Sequence, residues 1–165
     1  MRTTKLLIFS LSLLLLISCQ ESPESESTCY RKSDPPRNSE KVTIEQGLWG
    51  DVWFWSGDFM PVGRGEICQI IRKVLIYELT TNEDVEKVDY SPFYTKIHTK
   101  LVTSVYSDSQ GFFELELEPG TYSIFIQEGD KIYSNRFSSQ GIFPVTVKSG
   151  ELSEIRFDIN YEATF

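Results

Sequence analysis

From Thr43 onward, apolar and polar residues alternate with a period of two, the spacing of strands that see core and water in turn. Leu48, Gly50, Val52 and Phe54 alternate with Trp49, Asp51, Trp53 and Trp55. Ile71, Lys73, Leu75, Tyr77 and Leu79 alternate with Ile70, Arg72, Val74 and Ile76, so both faces of that stretch are largely apolar, as in a central strand. Residues 101–106 read as a strand and 107–111 as a turn. Phe113, Leu115 and Leu117 then alternate with Phe112, Glu114 and Glu116. Pro119-Gly120 turns the chain, Tyr122, Ile124 and Ile126 share one face, and Glu128-Gly129-Asp130 turns it again before Ile132-Tyr133. Val145 and Val147 precede Ser149-Gly150. Ile155, Phe157, Ile159 and Tyr161 follow, with Glu154, Arg156, Asp158 and Asn160 toward water. No stretch of this region has a helical period. Residues 81–100 carry the weakest pattern, and 82–86 fit a loop or one helical turn. The spacing predicts an all-β sandwich of about seven strands over 43–165. Phe113, Leu115, Leu117, Tyr122, Ile124 and Phe157 are expected in its core, and Glu114 and Glu116 on its wet face.

The first residues obey another pattern. Arg2 and Lys5 precede an apolar run from Leu6 to Ile17, broken only by serines. A positive head with a short apolar body is a secretory signal, and the run falls short of the roughly 20 residues that span a bilayer. Leu16-Ile17-Ser18-Cys19 resembles the lipobox of bacterial lipoproteins. That resemblance implies cleavage before Cys19 and acylation (palmitate-type chains) of its thiol and new amine. Two or more chains on one residue hold a membrane firmly, where one holds marginally. In Gram-negative lipoproteins Asp after the acylated cysteine retains the protein at the inner membrane. Gln20 stands here, which favours the outer membrane of the cell envelope. Residues 1–18 are therefore expected to be a signal peptide and 19–42 a polar, lipidated tether. Glu21, Glu24 and Glu26 resemble a surface-export signal and equally suit a solvated linker, so the periplasmic or surface side stays open.

Removing residues 1–18 from 165 leaves 147, enough for one domain with a full core. The formal charge of −8 becomes about −10 once Arg2 and Lys5 are gone. An acidic surface repels phosphates, which argues against nucleic acid as a partner. With Cys19 acylated, Cys29 and Cys68 remain. Outside the cytoplasm such a pair is readily oxidised, and the expectation is a disulfide, the alternative being two unrelated thiols.

Asp108-Ser109-Gln110-Gly111-Phe112-Phe113, with Glu118-Pro119-Gly120-Thr121-Tyr122 behind it, resembles the carboxypeptidase regulatory-like domain. That family reads Asp, two residues, Gly, an alternating stretch, then Pro-Gly-x-Tyr. Gly47-x-x-Gly50-x-Val52 resembles its first strand. The resemblance covers roughly 45–165 and implies a seven-stranded prealbumin-like (Ig-like) sandwich, usually without catalysis. It also places Tyr122 at a corner of the tyrosine-corner type. Two relatives of this fold fit poorly. The transthyretin-like hydroxyisourate hydrolases need several histidines, whereas His98 is alone here. The collagen-adhesin domains cross-link an early-strand lysine, and residues 46–55 contain none.

Candidate chemistry is sparse. One histidine cannot build a zinc site without further ligands. Asp108, Ser109 and Gln110 carry oxygens that suit calcium, but Asp and Ser in turns bond their own backbone. No serine stands in a nucleophile elbow, and no glycine-rich phosphate loop is present. Neither catalytic residues, nor a metal, nor a cofactor is expected. The concentrated feature is aromatic: Trp49, Trp53 and Trp55 share one strand face and could stack on sugars or anchor a partner, or lie covered under a loop. The reading is a non-enzymatic, membrane-anchored binding or structural module with an envelope protein or glycan as partner. One alternative is a sugar-binding accessory protein using the three tryptophans; a small hydrolase is the second.

Overall fold

The computed structural model describes residues 27–165. The expected signal peptide, Cys19 and the first part of the expected tether lie outside the described residues. Fourteen strand segments follow one another: β1 Cys29–Arg31, β2 Gly47–Asp58, β3 Glu66–Gln69, β4 Lys73–Glu78, β5 Val85–Lys87, β6 Phe93–Ile97, β7 Leu101–Tyr106, β8 Phe112–Leu115, β9 Gly120–Glu128, β10 Lys131–Tyr133, β11 Phe137–Ser138, β12 Gly141–Ile142, β13 Pro144–Val147 and β14 Leu152–Thr164. Two short 3-10 turns, Ser39–Lys41 and Asn82–Asp84, are the only helical pieces among the described residues.

The segments form an all-β body of two main sheets. The first has the order β1-β3-β2-β14, with β8 also on β2. The second runs β5-β6-β10-β9-β4-β7, with β13 also on β9. Part of the excess over seven strands comes from shared edges, and part from the separate β11-β12 pair. One side of β2 pairs with β8 through Leu48–Asp51 and with β3 through Trp53–Ser56. One side of β9 is likewise divided between β13 and β10. Most pairs are antiparallel, but β2 and β14 run parallel from Gly47 opposite Leu152 to Asp58 opposite Thr164, with a register shift after Ile159.

Leu48, Val52, Phe113, Ile155, Phe157 and Ile159 from the first sheet meet Val74, Ile76, Ile124, Ile126, Tyr133 and Val147 from the second in one sandwich-like core. Phe143 and Phe157 stack within it, ring centroids 4.9 Å apart. Phe113, Leu117, Ile124 and Phe157 are buried, while Leu115 and Tyr122 are half-buried against the same core. Gly50 lies opposite Ile155, and a Cβ there would come within 2.4 Å of the Ile155 carbonyl oxygen, so this close approach requires glycine. Gly111 sits at φ 76°, and a Cβ would meet the Val52 carbonyl oxygen at 2.5 Å, so the turn into β8 requires glycine. The Tyr122 hydroxyl donates to the Glu118 carbonyl at 2.8 Å, locking the corner before β9.

A smaller apolar cluster lies on the outer face of the second sheet: Leu75, Tyr94, Phe125 and Ile142, with Tyr77, Val85, Ile97 and Ile132 around it. The weak 81–100 region supplies part of this cover. Thr81 caps the turn at Asn82–Asp84, accepting from the Glu83 N–H, and Asp84 accepts from the Thr81 N–H and hydroxyl.

Candidate functional site

The expected tether over 19–42 needs correction from Thr28 onward. Residues 28–41 are a strap across the outer face of the first sheet. β1 pairs with β3, placing Cys29 opposite Cys68, and the two sulfurs are bonded at 2.06 Å. The Gln69 N–H donates to the Thr28 carbonyl and the Lys32 N–H to the Gly65 carbonyl. Pro35 and Asn38 are buried although the segment is polar, and Asp34, Arg37 and Lys41 meet charged partners on the body.

Asp51 is the centre of those contacts. It stands between Trp49 and Trp53 on the outer face of β2 and is fully buried. Arg37 Nε lies 2.5 Å from Asp51 Oδ2, and Asn38 Nδ2 donates to Oδ1 at 2.6 Å. Burial pushes the Asp51 carboxyl up, and the Asn38 hydrogen bond and Arg37 charge oppose that rise. The Arg37 guanidinium also reaches Glu154 at 2.7 Å and the Ile155 carbonyl at 3.1 Å. Arg156 bonds Asp34 and Asp158, each at 2.9 Å, and Asp158 accepts from Trp55 Nε1 at 2.9 Å.

The tryptophan platform is therefore corrected as well. Trp49 and Trp53 are 6 % and 1 % exposed and cannot receive a ligand while the strap is in place. Arg37 lies over both rings, at 5.5 and 5.9 Å, and Arg156 lies over Trp53 at 5.0 Å. Trp55 is half-buried against Phe59, ring centroids 5.0 Å apart, with Phe165 at 6.1 Å. The strap supplies the aromatic partner that the sequence reading sought in a ligand.

The other candidates disperse. His98 is exposed and meets Glu86 at 3.2 Å on the far sheet edge. Asp108 Oδ1 accepts from the Gln110 and Phe112 N–H groups, and its Oδ2 pairs with Lys41, so its oxygens serve the turn and the strap. Glu114 is half-buried and accepts from the Thr43 N–H and hydroxyl, which hold its carboxyl below its usual range. It lies on the outer face, as expected, and fastens the strap's exit there. Among the described residues, no group of three or more His, Cys, Asp or Glu side chains is arranged to hold a metal.

Two grooves mark the surface. One of about 520 Å³ lies between residues 136–146 and the start of β14. The larger, about 840 Å³, runs where the second sheet ends at β7. Val102 and Thr103 form one wall, residues 43–46 and 116–118 the other, and Tyr122 lies between. Sequence reasoning identified β7 as a strand but not as an edge.

Comparison of the chain with protein-family models, curated proteins and solved structures gives no match.

Proposed function

We propose that this chain is a non-enzymatic, lipid-anchored binding or structural module of the bacterial cell envelope, built on a prealbumin-like sandwich of the carboxypeptidase regulatory-like type. The Cys29–Cys68 bond carries the reading. Disulfides persist in oxidising compartments, which suits an exported chain, and this one clips the segment that follows the lipobox directly onto the body. A pull arriving at Cys29 would pass to β3 through the disulfide. The Asp108–Gly111 turn, the Gly50 approach and the Tyr122 corner support the family resemblance through geometry. Scattered titratable groups give no reason to assign a reaction. The sugar-binding alternative loses its basis with Trp49 and Trp53 covered.

The test is acylation and location. In a Gram-negative host, the chain should incorporate a labelled fatty acid and sediment with outer membranes. Cys19→Ala should abolish both. Equal labelling of the variant would end the lipoprotein reading.

A further inference from the structure

We propose that the β7 edge is a docking site for an extended, cationic segment of a partner protein, which adds to the second sheet as a further strand. The inference deepens the binding reading above and rests on it, but not on lipidation.

The backbone supplies the first argument. β7 pairs with β4 on one side only. The Ser107 N–H donates to the Arg72 carbonyl, and Val105 opposes Val74 in the same phase. Ser104 and Tyr106, alternating with these residues, therefore turn their N–H and carbonyl groups away from the sheet. Such a row of free groups is a template for another strand.

The second argument is the contrast with the end strands of the two main sheets. β5 is three residues long and carries Glu86 and Lys87. β1 is as short and clipped by the disulfide. β14 alternates Glu154, Arg156 and Asp158, and its register shifts after Ile159. Charge, shortness and irregularity all discourage strand addition. β7, Leu-Val-Thr-Ser-Val-Tyr, has no charge and no proline, and Leu101, Val102 and Tyr106 are exposed.

The groove beside β7 selects the occupant. A strand added there would lay one row of side chains toward the wall formed by residues 43–46 and 116–118. That wall presents Glu45, Glu116 and Glu118, all exposed, and among the described residues none is paired with a cation. Lysine or arginine at alternate positions of the incoming strand complements them. A second copy of this acidic chain would instead set two such walls together, with like charges facing.

The experiment uses the full chain in detergent micelles and a soluble peptide alternating lysine with threonine and valine. A peptide with glutamate in place of lysine is the control. Hydrogen exchange at the Ser104 and Tyr106 amides should be fast in the free chain and slow on adding the lysine peptide only. Ser104→Pro removes an outward donor while leaving the ladder to β4, and should weaken peptide binding about tenfold or more. Glu116→Lys with Glu118→Lys, both exposed, should do the same with unchanged thermal unfolding. Slow exchange at these amides before peptide is added would overturn the proposal, as would equal protection by the glutamate peptide. So would a concentration-dependent dimer that Ser104→Pro dissolves, because the occupant would then be a second copy. Loss of peptide binding with acylation intact would sink this site alone, whereas failed acylation with binding intact would sink only the anchor.

Discussion

The outer faces of the two sheets are both covered, by opposite means. On the first sheet, the strap holds Trp49, Asp51 and Trp53 under Arg37, Asn38 and Arg156, so aromatic rings alternate with ion pairs. On the second, Leu75, Tyr94, Phe125 and Ile142 close over one another with apolar contact. The apolar cover depends on close packing, because dispersion is lost steeply once rings separate by a fraction of an ångström. The ionic cover depends on particular partners as well, because the buried Asp51 is held by Arg37 and Asn38 together. Polar text in a chain can thus be structural, provided the sheet beneath it carries the complementary charge.

Three measurements would sharpen that contrast, all read by denaturant unfolding. The largest effects come from the ring at the centre of each face. Trp53→Ala and Phe125→Ala should each cost about 3–5 kcal/mol. If Trp53→Ala costs under about 1 kcal/mol, the strap is not a structural cover. Next is Arg37→Ala, which leaves Asp51 buried and unpaired and should cost about 3 kcal/mol. The double change Arg37→Met with Asp51→Leu should cost far less, within about 1 kcal/mol, because no charge is then stranded. Equal losses in both variants would mean that packing, not charge, holds the strap.

The smallest effect belongs to the apolar face. The Tyr94 hydroxyl is buried and meets no partner among the described residues, and burial pushes it up to about 12. Its folded value lies above the unfolded value of 10, so its contribution is full below pH 10 and is lost as pH rises from 10 toward 12. Tyr94→Phe should therefore stabilise slightly at neutral pH, by about 1 kcal/mol or less, and reduce the alkaline loss. Destabilisation at neutral pH would reveal a hydrogen bond to that hydroxyl.

Much of the fold was legible where one residue answers to one local rule. The alternation in β2, the Asp108–Gly111 turn and the Tyr122 corner each follow from spacing and backbone preference alone. Of the strap, only the Cys29–Cys68 tie was legible, because its other residues are held by long-range pairing rather than by their own hydrophobicity. One clue was available: Asp51 stands between two tryptophans in an otherwise alternating strand, and a carboxylate there requires a cation from elsewhere in the chain. Glu114 lies on the outer face as expected, but its bonds to Thr43 were not legible, since that partner lies in another segment. The division of the β2 and β9 edges between two partners each also escaped notice, because a run of residues does not show how many neighbours it will have.

The parallel pairing of β2 with β14 bears on the order of folding. Val52, at the heart of the core, lies opposite Phe157, and Phe54 opposite Ile159. These contacts join the beginning and end of the body, so the loop they close is nearly the whole of it. A chain still being synthesised can form the turns around β8 and β9, but its first sheet lacks a side until the last strand arrives. Such a topology folds late and on the slower scale of milliseconds to seconds, with high contact order as the cause. The unfinished chain stays open until that final strand docks, the state in which a polypeptide can still be threaded through a pore.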